Sequence, residues 1–415
     1  MADRSGDVSA VRIVQVGLRG FGAIHLERVD RLEAMGRVEL VATVDPAGPL
    51  EGRDVPWYGS LTEALAAHEV DIVNIATPIG THFALASEAL AAGADVMLEK
   101  PPVASLDDFF SLTAAEKASG RSIQIGFQAL GSDAIARVRD LATQIGDLVS
   151  VQIWGMWLRD DAYYGRAAWA GKRVMNGRRV ADGVCTNPLA HSFASAFALV
   201  GLTGIDQIKA IETELYHAHH IEADDTSWVR IRRTDGVPID VSLTLCAPAQ
   251  EEPTVTLVGT KGRITLTYTT DDIKAEIGPD WFTEHTDRTD LLENLVDHRE
   301  HGTPLLVPLS DTVGFMAVLE ATQTAPDPVA IDEEYIDWRG EGTFRYPVVQ
   351  DIDTWQLRCL AEGKGYADAG APWATSAAKA IWLPPPADRG ENLADRGENL
   401  ADRGENLARS RREPS

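Results

Sequence analysis

The stretch Asp95-Val-Met-Leu-Glu-Lys-Pro-Pro102 places a cation directly after a short apolar run. The run from Asp95 to Leu98 is typical of a buried parallel strand, and Lys100 follows it, fixed by two prolines. In an open α/β sheet, ligands bind in the crevice beyond the carboxyl ends of the strands. The stretch therefore predicts a lysine facing a ligand crevice, provided that the preceding residues build such a sheet.

Residues 9–128 alternate between strand and helix patterns. Runs rich in β-branched residues predict strands, and apolar residues at helical spacing predict the helices between them. Strands are predicted at 11–16, 38–44, 72–76, 95–98 and 122–127, and helices at 23–35, 61–67, 83–92 and 106–119. The alternation predicts a parallel sheet of six strands in all, with right-handed crossovers. This is an α/β Rossmann domain of the dinucleotide-binding type.

A glycine-rich loop, Gly17-Leu-Arg-Gly-Phe-Gly22, joins the first strand to the first helix. Free N–H groups and the positive end of a helix dipole attract a pyrophosphate at such a junction. Gly17 fits the tight turn of a G-x-G-x-x-G motif and Gly22 the close helix packing, but Arg19 replaces the middle glycine. Arg19 either contacts the phosphates or crowds them. The predicted cofactor-binding residues of this loop are Gly17, Arg19, Gly20, Phe21 and Gly22.

Asp45 ends the second strand, roughly twenty residues further on, where such folds bind a ribose. A carboxylate there accepts hydrogen bonds from the ribose diol and repels a 2′-phosphate. No Arg or Lys follows Asp45 closely, so NAD is favoured over NADP as the cofactor. The alternative interpretation is an ordinary turn residue before Pro46.

Three motifs together resemble the N-terminal signatures of the Gfo/Idh/MocA oxidoreductases, the family of glucose–fructose oxidoreductase and inositol dehydrogenase. They are the glycine loop with His25, the strand end Ala76-Thr-Pro-Ile-Gly-Thr-His82, and Glu99-Lys100-Pro101, and the resemblance continues to about residue 320. It implies that the loop 77–82 borders the cofactor and that Lys100 contacts both nicotinamide ribose and substrate. The cofactor-binding residues that it adds are Thr77, Pro78, His82, Glu99, Lys100 and Gln128. The alternative for Lys100 is a solvated surface lysine.

Residues 129–383 change to β-rich stretches separated by short turns. They predict an α+β domain with a mainly antiparallel open sheet, which binds the substrate. Strands are predicted at 147–158, 208–216, 228–233, 239–245, 254–258 and 263–269, and helices at 188–200, 290–301 and 310–321. Helices on one face leave the other uncovered, and apolar residues there favour a second subunit. The resemblance also implies pairing through that face, so a homodimer or homotetramer is expected.

Asn187 and His191 are four residues apart at the start of a predicted helix, so their side chains point the same way. The family usually has Asp and His at this spacing, with the histidine as proton acceptor for the substrate hydroxyl. Imidazole suits a general base because it titrates near neutrality, whereas the amide of Asn187 orients groups but takes no proton. The predicted catalytic residues are Lys100, His191 and Asn187. The alternative for His191 is a structural histidine on a half-apolar helix.

The segment from Trp154 to Asp182 is rich in Trp, Tyr and Arg and is similar to the family's loop over the substrate site. Aromatic faces suit the C–H surfaces of a pyranose, and basic groups bind hydroxyls or a carboxylate. The alternative is a loop whose aromatic residues pack on the sheet. The predicted substrate-binding residues are Lys100, Tyr164, Arg166, Trp169, Lys172, Asn187 and His191.

Composition limits the remaining possibilities. The 415 residues suit two domains, and the net charge of −25 argues against nucleic-acid and anionic-membrane partners. Three cysteines far apart indicate neither a disulfide framework nor a thiolate metal site. With no membrane span and no signal peptide in the sequence, a cytoplasmic location is expected. The acidic and histidine residues of 217–225 are not expected to bind metal, because strand and turn geometry should scatter their side chains.

The C-terminal end divides into two parts. Residues 330–383 carry four tryptophans and are too apolar for a tail, so they are expected to pack on one of the two domains. Residues 384–415 contain three copies of Ala-Asp-Arg-Gly-Glu-Asn-Leu. The seven-residue period is that of a coiled coil, but each copy has too little apolar surface to offset ordering the chain, and disorder is predicted.

The sequence as a whole predicts a nicotinamide-dependent dehydrogenase. Its substrate would be a sugar, a cyclitol or a derivative, oxidised or reduced at a secondary hydroxyl or ketone. A competing hypothesis is a sensor that binds dinucleotide and sugar without redox chemistry. Asn187, in place of the family's usual aspartate, and Arg19, in place of the middle glycine, leave this hypothesis open.

Overall fold

The computed structural model describes residues 10–385, so the three heptad repeats lie outside the described residues. The N-terminal domain contains the strands β1 Val11–Val16, β2 Val38–Val44, β3 Trp57–Tyr58, β4 Ile72–Ile75, β5 Asp95–Leu98 and β6 Ile123–Ile125, and the helices α1 Phe21–Ala34, α2 Leu61–Ala67, α3 His82–Ala91 and α4 Leu106–Ser119. The strands form one parallel sheet in the order β3-β2-β1-β4-β5-β6. The predicted Rossmann sheet is confirmed; its sixth strand is β3, whose position the sequence did not indicate.

The order of this sheet determines where a ligand can lie. Every residue of β4 and β5 is buried, as expected for strands covered by helices on both faces. The strand order reverses between β1 and β4, and the crevice outside their carboxyl ends is the usual ligand position of such sheets. The glycine loop follows β1 and Lys100 follows β5, so both lie along this edge.

The second domain is built on a ten-stranded sheet. Its elements, with two small hairpins, are α5 Ala134–Ala142, β7 Leu148–Leu158, α6 Asp161–Gly165, β8 Val174–Met175, β9 Arg178–Arg179, α7 Ala190–Val200, β10 Ile208–His217, β11 Thr226–Arg233, β12 Ile239–Thr244, β13 Cys246–Gly259, β14 Gly262–Thr267, β15 Asp272–Ile277, β16 Asp280–His285, α8 Leu291–His301, α9 Val313–Thr324, β17 Val329–Ala330, β18 Ile336–Arg339, β19 Tyr346–Val349, α10 Ile352–Glu362, α11 Tyr366–Ala369 and β20 Lys379–Trp382. Across residues 10–385, no helix is long and apolar enough to cross a bilayer.

The large sheet runs β16-β15-β14-β13-β7-β12-β11-β10-β17, and β20 also pairs with β10. Strands β7 and β12 pair in parallel, as do β10 and β17, and the other neighbours are antiparallel. The predicted mainly antiparallel sheet is therefore confirmed. Strands β15 and β16 extend it beyond the predicted ranges.

One face of this sheet packs against α5 and α7 in a core shared with the Rossmann domain. Side chains alternate between the two faces of a strand, and Val151 and Ile153 of β7 enter this core fully buried. The neighbouring Gln152 points to the other face, where its amide donates to the carbonyl oxygen of Leu360 at 3.1 Å. Both faces of β7 are thus covered.

The C-terminal segment 329–382 provides the cover on this second face, so its predicted packing is confirmed and its target is the second domain. Helix α10 lies over β7, β12 and β13, and Tyr366 of α11 shares a 2.7 Å hydrogen bond with Ser242 of β12. A second apolar cluster joins the segment to the sheet and contains Tyr216, Trp228, Ile352, Tyr366 and Trp373.

The expectation of an uncovered apolar face is therefore wrong. The chain's own segment covers β7 and β10–β12, and the outward side chains of β14 and β15 are mostly polar, including Arg263, Thr265 and Lys274. Burial of apolar surface is what drives association, so a face that is covered or polar gives no reason to expect pairing through it. The oligomeric state itself stays a prediction.

We expect Trp373→Ala to lower the free energy of unfolding by roughly 3–5 kcal/mol. Trp373 is 5% exposed and its ring packs on Tyr216 and Tyr366, with centroids 5.3 and 4.7 Å away. The matched control is Trp281→Ala on β16, where the ring is 71% exposed and the expected change is within about 0.5 kcal/mol. Urea unfolding of both variants measures the difference; equal effects would show that the segment 329–382 does not stabilise the sheet.

Candidate active site

The glycine loop approaches the end of β4 too closely for side chains at two positions. Gly17 has φ +84°, and a Cβ on it would lie 2.2 Å from the carbonyl oxygen of Ala76. A Cβ on Gly22 would lie 2.3 Å from the carbonyl oxygen of Gly17. Gly20 precedes α1 with φ +59°, and Phe21 begins the helix with half of its surface exposed. The loop therefore presents backbone groups at a helix N-terminus, which fits a pyrophosphate.

Arg19 is held at the tip of β2, and its role toward the phosphates stays a prediction. Its guanidinium lies at the tip of β2, 2.8 Å from Asp45 Oδ2 and 3.2 Å from the carbonyl oxygen of Gly48. Asp45 also accepts hydrogen bonds from the N–H groups of Leu18 and Ala47. No Arg or Lys follows Asp45 closely in the sequence, but the fold brings Arg19 beside it from the preceding loop.

A chain of buried polar side chains connects the glycine loop with Glu99. Gln15 Nε2 donates to the carbonyl oxygen of Gly17 at 2.9 Å, and Asn74 Nδ2 donates to Gln15 Oε1 at 2.8 Å. The ring nitrogens of His25 lie 2.9 Å from Asn74 Oδ1 and 3.1 Å from Glu99 Oε2. Sequence reasoning missed Gln15 and Asn74, although a polar residue inside an otherwise apolar strand is a readable signal.

Glu99 remains ionised at the end of this chain. Burial alone would raise the pKa of its carboxyl group, but the hydrogen bond from His25 and the charge of Lys100 bring that pKa below its ordinary value. A carboxylate therefore directly precedes Lys100 in the chain.

His82 holds two segments of the crevice together. Its Nε2 lies 2.8 Å from the carbonyl oxygen of Thr77, and its Nδ1 lies 2.9 Å from that of Pro101. The ring is 1% exposed, and burial lowers its pKa. His82 thus fixes the loop that carries Thr77 and Pro78 against the segment after Lys100. Thr77 is half-buried and Pro78 exposed at the rim.

Lys100 crosses from the first domain to the second. Its Nζ donates to Oδ1 of Asn187 at 2.7 Å and to the backbone carbonyl oxygen of the same residue at 3.1 Å. Burial lowers the pKa of the ammonium group, and the negative charges of Glu99 and Asp182 partly offset this effect. Lys100 and Asn187, both predicted as catalytic residues, are thus in direct contact, and their catalytic roles stay predictions.

His191 is the second residue of α7 and lies within the electrostatic reach of Lys100. Burial, followed by the charge of Lys100, lowers the pKa of His191 to about 3. Its Nδ1 is buried and has no hydrogen-bond partner within residues 10–385. The ring packs edge-on against Phe127 with centroids 5.7 Å apart. The imidazole is therefore neutral at neutral pH and has a free nitrogen that can accept a proton. The expectation that it titrates near neutrality is wrong, and a pKa this low makes it a weaker base than an ordinary histidine.

Gln128 lies directly after Phe127, in the turn that follows β6. Its Nε2 is also buried without a partner among the described residues. A buried polar atom of this kind needs a partner, which a bound ligand or a water molecule would supply.

Arg166 is the residue of the aromatic loop that joins the cluster. Its guanidinium stacks on Tyr163 at 3.7 Å and on Trp169 at 4.7 Å from the ring centroids. It also donates to both carboxylate oxygens of Asp182, each at 3.1 Å. Asp182 in turn accepts from Asn187 Nδ2 at 2.5 Å. Sequence reasoning missed Asp182, since an aspartate before a glycine is typical of any turn.

Two predicted substrate residues have other partners. Tyr164 packs on His219 with ring centroids 4.6 Å apart, and Lys172 pairs with Glu222 at 3.2 Å. Both therefore contact the turn 217–225, whereas Lys100, Asn187 and Arg166 are joined by hydrogen bonds through Asp182. The roles of Tyr164 and Lys172 toward a substrate stay predictions.

Strand and turn geometry was expected to scatter the side chains of 217–225. This expectation is wrong for His219 and Asp225. These two residues converge with Cys246, all three buried, and His219 Nδ1 lies 2.8 Å from Asp225 Oδ2 and 3.6 Å from Cys246 Sγ. The other ring nitrogen of His219 lies 3.0 Å from the carbonyl oxygen of Arg159. Asp225 also accepts from the backbone N–H groups of Ala218 and His219. These contacts account for the three side chains as a closed hydrogen-bonded network.

Comparison with known proteins agrees with the motifs and the fold. Residues 11–127 match the family model described as the oxidoreductase family with an NAD-binding Rossmann fold. The N-terminal domain is thus similar to the NAD-binding domain of the Gfo/Idh/MocA oxidoreductases. An inositol 2-dehydrogenase of Burkholderia cenocepacia is 34% identical over 145 residues, which cover 32% of this chain but only 43% of that relative.

Two further proteins match over greater lengths. An inositol 2-dehydrogenase of Ralstonia nicotianae is 28% identical, covering 61% of this chain and 74% of the relative. The crystal structure of the WlbA dehydrogenase from Bordetella pertussis, in complex with NADH and UDP-GlcNAcA, superposes with a TM-score of 0.62 at 20% identity. The match covers 75% of this chain and 94% of that structure, so both domains share the fold of that dehydrogenase.

We expect Gly17→Ala to abolish dinucleotide binding or weaken it by more than about tenfold, because the added Cβ meets a backbone oxygen at a positive φ. Gly59→Ala is the control, since its Cβ would have only an ordinary contact, 3.7 Å from Glu63 Oε2. Titration of NADH fluorescence measures both affinities. Unchanged binding by Gly17→Ala would remove the glycine loop from the cofactor site.

Proposed function

We propose that the protein is an NAD-dependent dehydrogenase that acts on a secondary hydroxyl of a sugar, a cyclitol or a derivative of one. The observation that carries the proposal is the contact of Lys100 with Asn187 across the two domains, next to the neutral imidazole of His191. An ammonium group and a free base that face one crevice are the two groups that alcohol oxidation requires.

The residues of the first domain fit the cofactor. The glycine loop would hold the pyrophosphate, Asp45 the ribose diol, and the rim formed by Thr77, Pro78 and Gln128 the nicotinamide half. When bound, NAD supplies the hydride acceptor. Asp45 makes NADP the less favoured cofactor, because a carboxylate repels a 2′-phosphate. The contact of Arg19 with Asp45 weakens this repulsion.

The reaction is proposed to use the two domains in different roles. His191 takes the hydroxyl proton, and Lys100 stabilises the negative charge that develops on the oxygen. Asn187 holds Lys100 in place, and Arg166 and Trp169 line the substrate side. The match of residues 11–127 to the oxidoreductase family model and the inositol 2-dehydrogenases among the relatives support a polyhydroxylated substrate. The protein is further proposed to work in the cytoplasm and as an oligomer.

A panel of inositols, sugars and sugar acids, incubated with the protein and NAD, tests the proposal through the absorbance of NADH. Formation of NADH with at least one compound is expected. If purified protein retains its cofactor, product analysis replaces absorbance, since a recycled cofactor leaves no net NADH. Binding of dinucleotide and sugar without any product would instead identify a sensor.

We expect Lys100→Ala to lower kcat by about 100-fold or more while NAD still binds, because the charge that stabilises the oxyanion is lost. Lys274→Ala, on the exposed side of β15, is the matched control and should leave kcat unchanged. Steady-state kinetics together with NADH titration separate the two effects. Undiminished turnover in Lys100→Ala would exclude Lys100 from the chemistry.

The pH profile of kcat/KM should have an alkaline limb but no acid limb near the ordinary histidine value. With its pKa at about 3, His191 is in its neutral, accepting form throughout the neutral range. Lys100 carries its charge only below its own pKa, which lies under 10.5, so activity falls as pH rises through that value. An acid limb near pH 6.5 would contradict a buried, neutral His191.

A further inference from the structure

Asp182 is a buried carboxylate at the junction of the site and the aromatic loop. Its side chain is 1% exposed and accepts hydrogen bonds from three groups. Asn187 Nδ2 lies at 2.5 Å, the guanidinium of Arg166 at 3.1 Å and the backbone N–H of Gly171 at 2.7 Å. No role in the proposed reaction has been given to this residue so far.

The contact with Asp182 fixes the orientation of the Asn187 carboxamide. An amide group has a donating end and an accepting end. A carboxylate accepts only, so the NH₂ end of Asn187 must face Asp182 and the oxygen must face Lys100, at 2.7 Å from Nζ. Without an acceptor at position 182, the amide loses the contact that determines this direction.

Asp182 also acts on the charge of Lys100. The charged groups that act on Lys100 are Glu99, the residue directly before it, Asp182, and Arg166 on the aromatic loop. The two carboxylates favour the ammonium form and Arg166 opposes it. Position 187 itself carries no charge, and Glu99 is hydrogen-bonded to His25, which leaves Asp182 as the carboxylate behind Asn187.

We propose that Asp182 is a positioning residue that acts through Asn187 to hold Lys100 as an oriented ammonium group, and so supplies the negative charge that position 187 lacks. The catalytic part of this inference rests on the proposed dehydrogenase function. The same carboxylate fastens the loop at Arg166 and Gly171, so the loop and the lysine depend on one buried charge.

The test compares Asp182→Asn with the double variant Asp182→Asn/Asn187→Asp. The control is Asp240→Asn, which neutralises another buried aspartate paired with an arginine, Arg230, away from the site. The first readout is the pH dependence of trace acetylation of Lys100, followed by peptide mass spectrometry. It measures the titration of the amine in the intact protein and requires no enzymatic activity.

We expect Asp182→Asn to move the Lys100 midpoint to lower pH, because a charge that favours the ammonium form is removed. The double variant should return the midpoint to the wild-type value or above it, and Asp240→Asn should leave it unchanged. The second readout is kcat/KM. We expect a loss of between about tenfold and 100-fold in Asp182→Asn, an alkaline limb at lower pH, and recovery in the double variant.

The proposal is overturned if the Lys100 midpoint in Asp182→Asn equals that in Asp240→Asn, or if the double variant restores neither readout. A purely structural Asp182 would lower stability without moving the midpoint. If the wild-type protein oxidises no alcohol, the proposed function fails, yet the acetylation profile still decides the role of Asp182. If Asp182→Asn does not fold, Asp182→Ser replaces it, since a hydroxyl still accepts a hydrogen bond from the Gly171 N–H. The Lys100 midpoint in Asp182→Ser should move in the same direction.

Discussion

The hydrogen bonds between the Lys100 ammonium group and Asn187 are the constraint on which the site depends. A buried charge is tolerated only when it is paired or hydrogen-bonded, so the strand end that carries Lys100 and the turn before α7 must stay in register. His191 lies four residues after Asn187, at the second position of α7, and its buried Nδ1 has no hydrogen-bond partner among the described residues. Movement of the two domains relative to each other would break this arrangement first.

Two polar chains connect this contact to the rest of the molecule. In the first domain, Gln15, Asn74 and His25 lead from the glycine loop to Glu99, so the backbone that would bind a pyrophosphate is hydrogen-bonded to the residue before Lys100. In the second domain, Asp182 leads from Asn187 to the aromatic loop. Cofactor loop, lysine and substrate loop are thus connected by hydrogen bonds and by the peptide bond between Glu99 and Lys100.

The parts of this system that follow from local patterns could be predicted from the sequence. Alternating strands and helices fix the parallel sheet, and a lysine after β5 must lie at its carboxyl edge. The spacing of Asn187 and His191 indicated that both belong to one site, although Asn187 lies in the turn before α7 and not on the helix. The contacts of Asp182 and Arg19 depend on how distant loops pack, and no local pattern encodes that. The same holds for residues 329–382, whose apolar character indicates burial but not the face they cover.

The most direct test of the account is a crystal structure of the protein with NAD and a polyol that reduces it. We expect one secondary hydroxyl of the polyol within about 3 Å of both Lys100 Nζ and a ring nitrogen of His191. A polyol bound in the crevice with its reacting hydroxyl beyond hydrogen-bond reach of both groups would contradict the account.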